Sequence, residues 1–443
     1  MLSGARRAKS TSLRQPGPKR PAEPPREEGK VGLRLALAQG SLGMELAAAI
    51  RLGPLDVREL SVRLEDLRFP LDLSGGVARF RHRRGRLMGG LVGVELATLG
   101  KHLEPKLRGQ LLASAPVAVT IATAPSGALS VGISSEGAAL AFDVVLAPME
   151  QDLRVLVEDA RALGLAAPAH VAAVRLVGLA LRSLGEVAGG GFVVRDPLGQ
   201  VARRLLPDAG ARAPATRGLV VSVREAGALE LVVEGRVGAA GELSSRAIRA
   251  LEAAELAAPG DSAALAGDLE AARSAYLAAL ERAPRHAELA TRLAALDLSL
   301  GDRAEAALAT LVDLSGPLGA GLLGSLVLES VGENEAAYAS AARAAADEPY
   351  GPLAALAWLR AARLTRDAAA RTDALDRAIV RSPSLSAARW ERFVARLYTG
   401  DIRGALGDAQ HAEASAPSHE RFDVCRRAAE ALAERGHLAE AQT

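Results

Sequence analysis

One cysteine, Cys425, stands in the 443 residues, which excludes an internal disulfide framework and any multi-cysteine zinc site. Its place in a helical stretch predicts a small buried side chain. Aromatic residues are scarce too, at 3%, so the 49% apolar content is mainly aliphatic, and much of that is alanine. The net charge is only +2, which gives no global field for nucleic acid. No apolar run approaches the roughly 18 residues that a spanning helix needs. Residues 1–30 carry basic residues and five prolines but no apolar segment, so they read as a disordered tail rather than a signal peptide.

Catalytic motifs are also missing. There is no G-x-x-x-x-G-K-[ST] loop, no H-E-x-x-H and no G-x-S-x-G. The seven histidines are scattered, and none lies three or four residues from another, so no helical metal pair exists. Gly189-Gly190-Gly191 precedes an apolar strand-like Phe192-Val193-Val194 and reads as a linker. No Asp or Glu stands in an apolar strand in the manner of a tuned acid. The expectation is a chain that is not an enzyme and needs no cofactor or metal.

What is present is repetition. Gly267-Asp268 recurs as Gly301-Asp302, Gly332-Glu333, Arg366-Asp367 and Gly400-Asp401. Prolines follow each turn at 284, 317, 349, 383 and 417. Small residues recur at Ala272, Ala306, Ala337 and Ala405, and again at Ala279, Ala344, Ala378 and Ala412. A fixed period of about 34 residues marks stacked helix pairs. Glycine ends the first helix in a left-handed turn, the acid caps the second, and proline stops it. Alanines sit where two helices come close.

This register resembles the tetratricopeptide repeat family over residues 241–443. GDLEAARSAYLAALERAP, from Gly267 to Pro284, carries Ala272, Tyr276, Ala279 and Pro284 at the family's offsets. GDIRGALGDAQHAEASAP, from Gly400 to Pro417, matches at the turn, Ala405, Ala412 and Pro417. Asp313 and Arg371 depart from the small-residue pattern, and Pro259-Gly260 falls inside the first helix of the first unit, predicting a break there. The resemblance implies a binding array with its contact surface on the first helix of each pair. Counting from the turns, that surface includes Leu356, Arg360 and Arg363 in the fourth unit and Trp390, Val394 and Tyr398 in the fifth. Aromatic and arginine side chains of this kind suit a peptide with a carboxylate or an apolar anchor.

Residues 31–237 follow a different period. Apolar residues alternate at Leu60, Val62 and Leu64, at Val117, Val119 and Ile121, and at Leu129, Val131 and Ile133. The same holds from Leu140 to Leu146, and in a hairpin of Leu219 to Val223 with Leu229 to Val233. Period two means half-buried strands. A helix over 168–187 is apolar on most of its circumference and must be covered on most sides. A second, shorter helix is expected from Pro197 to Leu206. The fold class is therefore α+β: a β-rich antiparallel domain wrapped on an apolar helix, then an all-α repeat solenoid. The early strand segment, helix 168–187 and the closing hairpin resemble the tubular lipid-binding superfamily. That resemblance implies an acyl chain between sheet and helix.

One local charge cluster, Phe80 to Arg86 with the preceding Arg79, places Arg79, Arg81, Arg83, Arg84 and Arg86 together. It reads as an edge strand guarded by charge, or as a contact for anionic groups. The functional expectation is a non-enzymatic scaffold in the bacterial cytoplasm that binds a protein or peptide partner. A lipid carrier is the alternative, and nucleic acid is not expected.

Overall fold

The computed structural model describes residues 33–38, 40–52, 54–65, 85–111, 116–124, 128–135, 137–200, 219–224, 228–234, 243–301, 303–312, 318–415 and 421–442. Strands fill the first half and paired helices the second, an α+β arrangement. The first sheet contains β1 (Leu33–Ala38), β2 (Ser41–Leu46), β3 (Ile50–Leu52), β4 (Leu55–Leu64) and β5 (Gly85–Glu95). It is completed by the late hairpin of β12 (Leu219–Arg224) and β13 (Ala228–Glu234). Its order is β1-β2-β4-β5-β13-β12, with β3 on β4. The second sheet runs β10-β11-β9-β8-β7-β6. Its strands are β6 (Ala118–Thr123), β7 (Leu129–Ser135), β8 (Ala138–Pro148), β9 (Leu153–Leu163), β10 (Gly185–Ala188) and β11 (Gly191–Val194). All pairings are antiparallel.

Two helices pack on the second sheet. Helix α1 (Leu96–Leu111) lies against β6, and α2 (Ala169–Leu181) lies against β9 and β11. Helix α2 is shorter than the sequence suggests, because the chain turns at 182–184 into β10. Of the second expected helix, the described part is helical at 197–200; the remainder lies outside the described residues. Residues facing α1 and α2 form the main core: Ile121, Ile133, Leu140, Phe142, Val144, Val155, Val157, Phe192, Val174 and Val177.

Strand β8 is buried on both faces. Its even row, Leu140, Phe142 and Val144, points at α2, as alternation requires. Its odd row, Ala139, Ala141, Val145 and Ala147, points at the helical array. With Asp143 the row holds five residues, three of them alanine, so helices can come close to the sheet. The sheet thus lies between two helical layers, a cover that period-two patterning of one face does not reveal.

The array comprises α3 (Ser245–Ala266), α4 (Leu269–Arg282), α5 (Ala287–Ser299), α6 (Ala304–Leu311), α7 (Leu318–Ser330) and α8 (Asn334–Asp347). It continues with α9 (Gly351–Leu364), α10 (Ala368–Arg381), α11 (Ser386–Thr399), α12 (Ile402–Ser415), α13 (Arg421–Glu434) and the short α14 (Leu438–Ala441). The turn chemistry is as the repeat demands. Gly267 and Gly400 sit at φ +86° and +80° to end α3 and α11. Asp268 accepts the Ala271 amide at the start of α4. Ala272, Ala337 and Ala405 are fully buried, and Ala279, Ala344, Ala378 and Ala412 are buried too. In the second pair the buried alanine is Ala307 and not Ala306, because α6 starts one residue late.

Two expectations are corrected here. Helix α3 runs unbroken through Pro259, since its alanine face (Ala247, Ala250, Ala253, Ala257) is buried and packing outweighs one lost hydrogen bond. Cys425 is exposed, because burial on α13 is confined to Ala428 and Leu432. Among the described residues, no helix is long and apolar enough to cross a membrane.

The alanine row on β8 generates a test. Ala141→Leu forces bulk into a closed seam and costs about 1–3 kcal/mol of stability by urea unfolding. Tolerance of leucine without loss would mean that the seam is looser than the packing indicates.

Candidate functional site

The first helices of the first four pairs, α3, α5, α7 and α9, all meet the second sheet. They are the surface on which a partner was expected. Three arginines tie the seam. On β9, Arg161 donates through Nε and Nη2 to the two oxygens of Glu348, at 2.6 and 3.3 Å. Both side chains are 1% exposed. Arg161 Nη1 also donates to the Asp159 carbonyl and carboxylate. A β-bulge makes this possible: register slips opposite Ala141 to Asp143, and Asp159 takes φ +48°. Glu348 itself lies just before α9, where it accepts the Tyr350 amide at 2.9 Å and its carbonyl accepts from Arg381.

A second clamp is deeper. Asp261, 0% exposed on α3, accepts two bonds from Arg292 Nη1 of α5, at 3.0 and 2.8 Å, and one from the Tyr276 hydroxyl of α4, at 2.6 Å. Arg292 Nη2 reaches the Val157 carbonyl of β9 at 3.4 Å. His170 of α2 brings Nε2 to 3.0 Å from Asp261 Oδ1. The hairpin glycine Gly190 closes over the pair; a Cβ there would stand 2.7 Å from Asp261 Oδ2. The Gly189–Gly191 run is thus a packed β-turn and not a linker. Burial pushes the Asp261 carboxyl up, but the charges of Arg292 and His170 outweigh it and hold the group well below the usual range. Burial and then the Asp261 charge push the Tyr276 hydroxyl up.

The third arginine, Arg246 of α3, bridges Asp143 of β8 at 3.0 Å and Glu158 of β9 at 3.1 Å. Burial pushes the Glu158 carboxyl up; Arg246 opposes this, and Glu288 and Asp143 add to it, with a net rise. Beside this clamp lies a cleft of ≈ 560 Å³, lined by Thr120, Asp143, Glu158, Arg161, Arg246 and Tyr350 among others. Its charged groups are spent on one another across the seam. A smaller crevice of ≈ 180 Å³ exposes parts of His170, Thr291 and Ser299. Both hydroxyls there donate to carbonyls of their own helix, so His170 has no poised nucleophile beside it. The arrangement joins two halves of the chain, with the seam's arginines facing its carboxylates.

The expected contact residues are dispersed. Leu356 packs against the core between array and sheet. Arg360 donates to Ser325 and Glu329 of α7. Arg363 pairs with Glu391 of α11 at 2.6 Å. Trp390 rests on Phe393 and lies under the Arg427 guanidinium of α13, so with Val394 it fills the seam between fifth and sixth units. Tyr398 is 70% exposed, with Arg435 over its ring. Of the arginine cluster, Arg79, Arg81, Arg83 and Arg84 lie outside the described residues. Arg86 is on β5, opposite Arg63 of β4 and 3.6 Å from Glu65; the described pairing of β5 with β13 begins at Gly89. Sequence reasoning missed Arg161, Asp261, Arg292 and Glu348; the available signal was the charged run Glu158, Asp159 and Arg161 inside an otherwise apolar strand segment.

No family model matches the chain, and no curated protein matches it. Among solved structures, a crystal structure of MamA protein is 18% identical, covers 37% of this chain and 91% of its own, and has a TM-score of 0.33. A second MamA crystal structure is 17% identical, covering 41% and 87%, with a TM-score of 0.22. A TPR-domain containing protein from Parabacteroides distasonis is 10% identical, covers 91% of this chain and 75% of its own, and has a TM-score of 0.30. These matches give no support to the tubular lipid-binding resemblance.

Two outcomes are expected of the clamps. Arg161→Met leaves Glu348 buried alone and costs about 3–5 kcal/mol, while Arg161→Met with Glu348→Leu recovers most of it; denaturant unfolding of the double-mutant cycle measures both. The raised Glu158 carboxyl means that the folded chain holds its proton more tightly than the unfolded chain. This group therefore adds stability as pH falls through its folded pKa and subtracts it above. Glu158→Gln raises the thermal midpoint at about pH 8, and its advantage shrinks toward about pH 4. A parent more stable than the glutamine variant at the higher pH would contradict the assignment. Asp261 has the opposite sign: its contribution is present above about pH 3.9 and fades as pH falls toward its depressed folded value.

Proposed function

We propose that this chain is a non-enzymatic scaffold that binds a protein or peptide partner through the part of its array which its own sheet leaves uncovered. The observation that carries the reading is the coverage of α3, α5, α7 and α9 by the second sheet. That leaves the first helices of the fifth and sixth units, α11 and α13, with the adjoining end of α9. On this surface the Arg363 side chain is 58% exposed and Tyr398 stands out from α11. Of the six expected contact residues, these two keep the exposure that recognition requires. An exposed guanidinium, here shared with Glu391, and an exposed phenol ring under Arg435 suit a peptide that offers a carboxylate and an apolar side chain. A cytoplasmic location and the division into residues 1–30, 31–237 and 241–443 belong to the same proposal.

Arg363→Glu with Tyr398→Ala, made in the full chain, tests it. Both sites are on the surface, so the thermal midpoint stays within about a degree or two. Cross-linked partner captured by the immobilised protein falls roughly tenfold or more. Undiminished capture by a folded variant removes the surface from consideration.

A second reading, an apolar ligand held by the β-rich half, is favoured by one feature. A cavity of ≈ 300 Å³ opens between the end of the second sheet and α2.

A further inference from the structure

The cavity beside α2 has a lining that selects a chemical class. Val117 of the segment leading into β6, Ile133 of β7, Leu140 of β8, and Ala172, Leu176 and Leu179 of α2 present carbon to it. The polar exceptions are Ser134 and Ser135 at the end of β7, and Arg175. Arg175 is the only cation in the lining and lies on the exposed side of α2, at the rim. Its one hydrogen bond among the described residues runs from Nη2 to the Leu265 carbonyl at 3.0 Å, and it has no ion pair there. Every arginine of the seam, by contrast, is matched to a carboxylate. A guanidinium with open donors at the mouth of an apolar cavity complements a molecule with a carbon tail and an anionic head.

Resting on the second reading above, we infer that this cavity binds a single-chain alkyl carboxylate, with its tail among Ile133, Leu140, Leu176 and Leu179 and its carboxylate on Arg175. An apolar cavity of about 150 Å³ holds a six-carbon ring, so one of twice that size takes a chain of roughly eight to twelve carbons. The planar fork of arginine fits a carboxylate through two parallel bonds. The Arg175 bond to Leu265 uses one edge of the fork and leaves donors for the ligand.

Calorimetry of the full chain with hexanoate, octanoate, decanoate and decanol tests this. Affinity for the carboxylates rises about fourfold per methylene up to decanoate. Arg175→Gln weakens decanoate roughly tenfold and leaves decanol unchanged. Ala172→Phe fills the cavity and abolishes binding of both, and Leu179→Phe does the same from two turns further along α2. Thermal unfolding of each variant shows that it is folded. Decanol binding as tightly as decanoate, with both indifferent to Arg175→Gln, overturns the head-group assignment and keeps the apolar-cavity reading. Failure of both ligands to bind the parent chain, or binding that survives both phenylalanine variants, overturns the cavity reading as well.

Discussion

Everything in this molecule depends on the seam between the odd row of β8 and the first helices of the array. A strand with apolar residues on both faces must be covered on both, and only one cover, α1 with α2, comes from its own half of the chain. The array supplies the other. Alanines at 139, 141 and 147 let the two approach closely, and close approach excludes water from whatever polar groups lie along the contact. Those groups must then be matched, which is why Arg161, Arg246 and Arg292 each meet a carboxylate across the seam or beside it. Ion pairs of this kind add little against a hydrophobic alternative, but they fix the register in which sheet and helices meet.

This arrangement changes what the helical repeats are for. In an array standing alone, the first-helix face is open along its whole length. Here four of the first helices serve as the wall of an internal core. The partner surface proposed above is therefore short, and it lies at the end farthest in sequence from the sheet. A three-layer centre made from sheet and helices also gives α2 a stable platform, with a cavity at its exposed edge.

The helical half was legible because its signals are local. A glycine turn, an acidic cap and alanines seven apart all lie within one repeat, so Gly267 to Pro284 could be read without knowing its neighbours. The strands at β4, β6, β7 and β8 were legible for the same reason. The seam was not. Arg161 and Glu348 are 187 residues apart, and nothing near either of them announces the other. Alanine is neutral in a hydrophobic pattern, so the second buried face of β8 looked like a solvent face. Gly190 read as part of a linker because the carboxylate and guanidinium that demand its missing side chain lie on two distant helices. Helix α1 carries a helical apolar period at Leu96, Leu99, Leu103 and Leu107, so its signal was present and was missed beside Lys101, Glu104, Pro105 and Lys106. Trp390 looked like a binding residue because a sequence cannot show that Arg427 of the next unit covers it.

The central claim is that the second sheet and the first helices of the array form one cooperative core. Native-state hydrogen exchange on the intact chain tests it most directly. The amides of β8 and of α7 and α9 should open with the same free energy and the same denaturant dependence, as parts of a single unit. Exchange from β8 at a much lower free energy, with α7 and α9 still fully protected, would mean that the sheet lifts off an array that stands without it, and the account would be wrong.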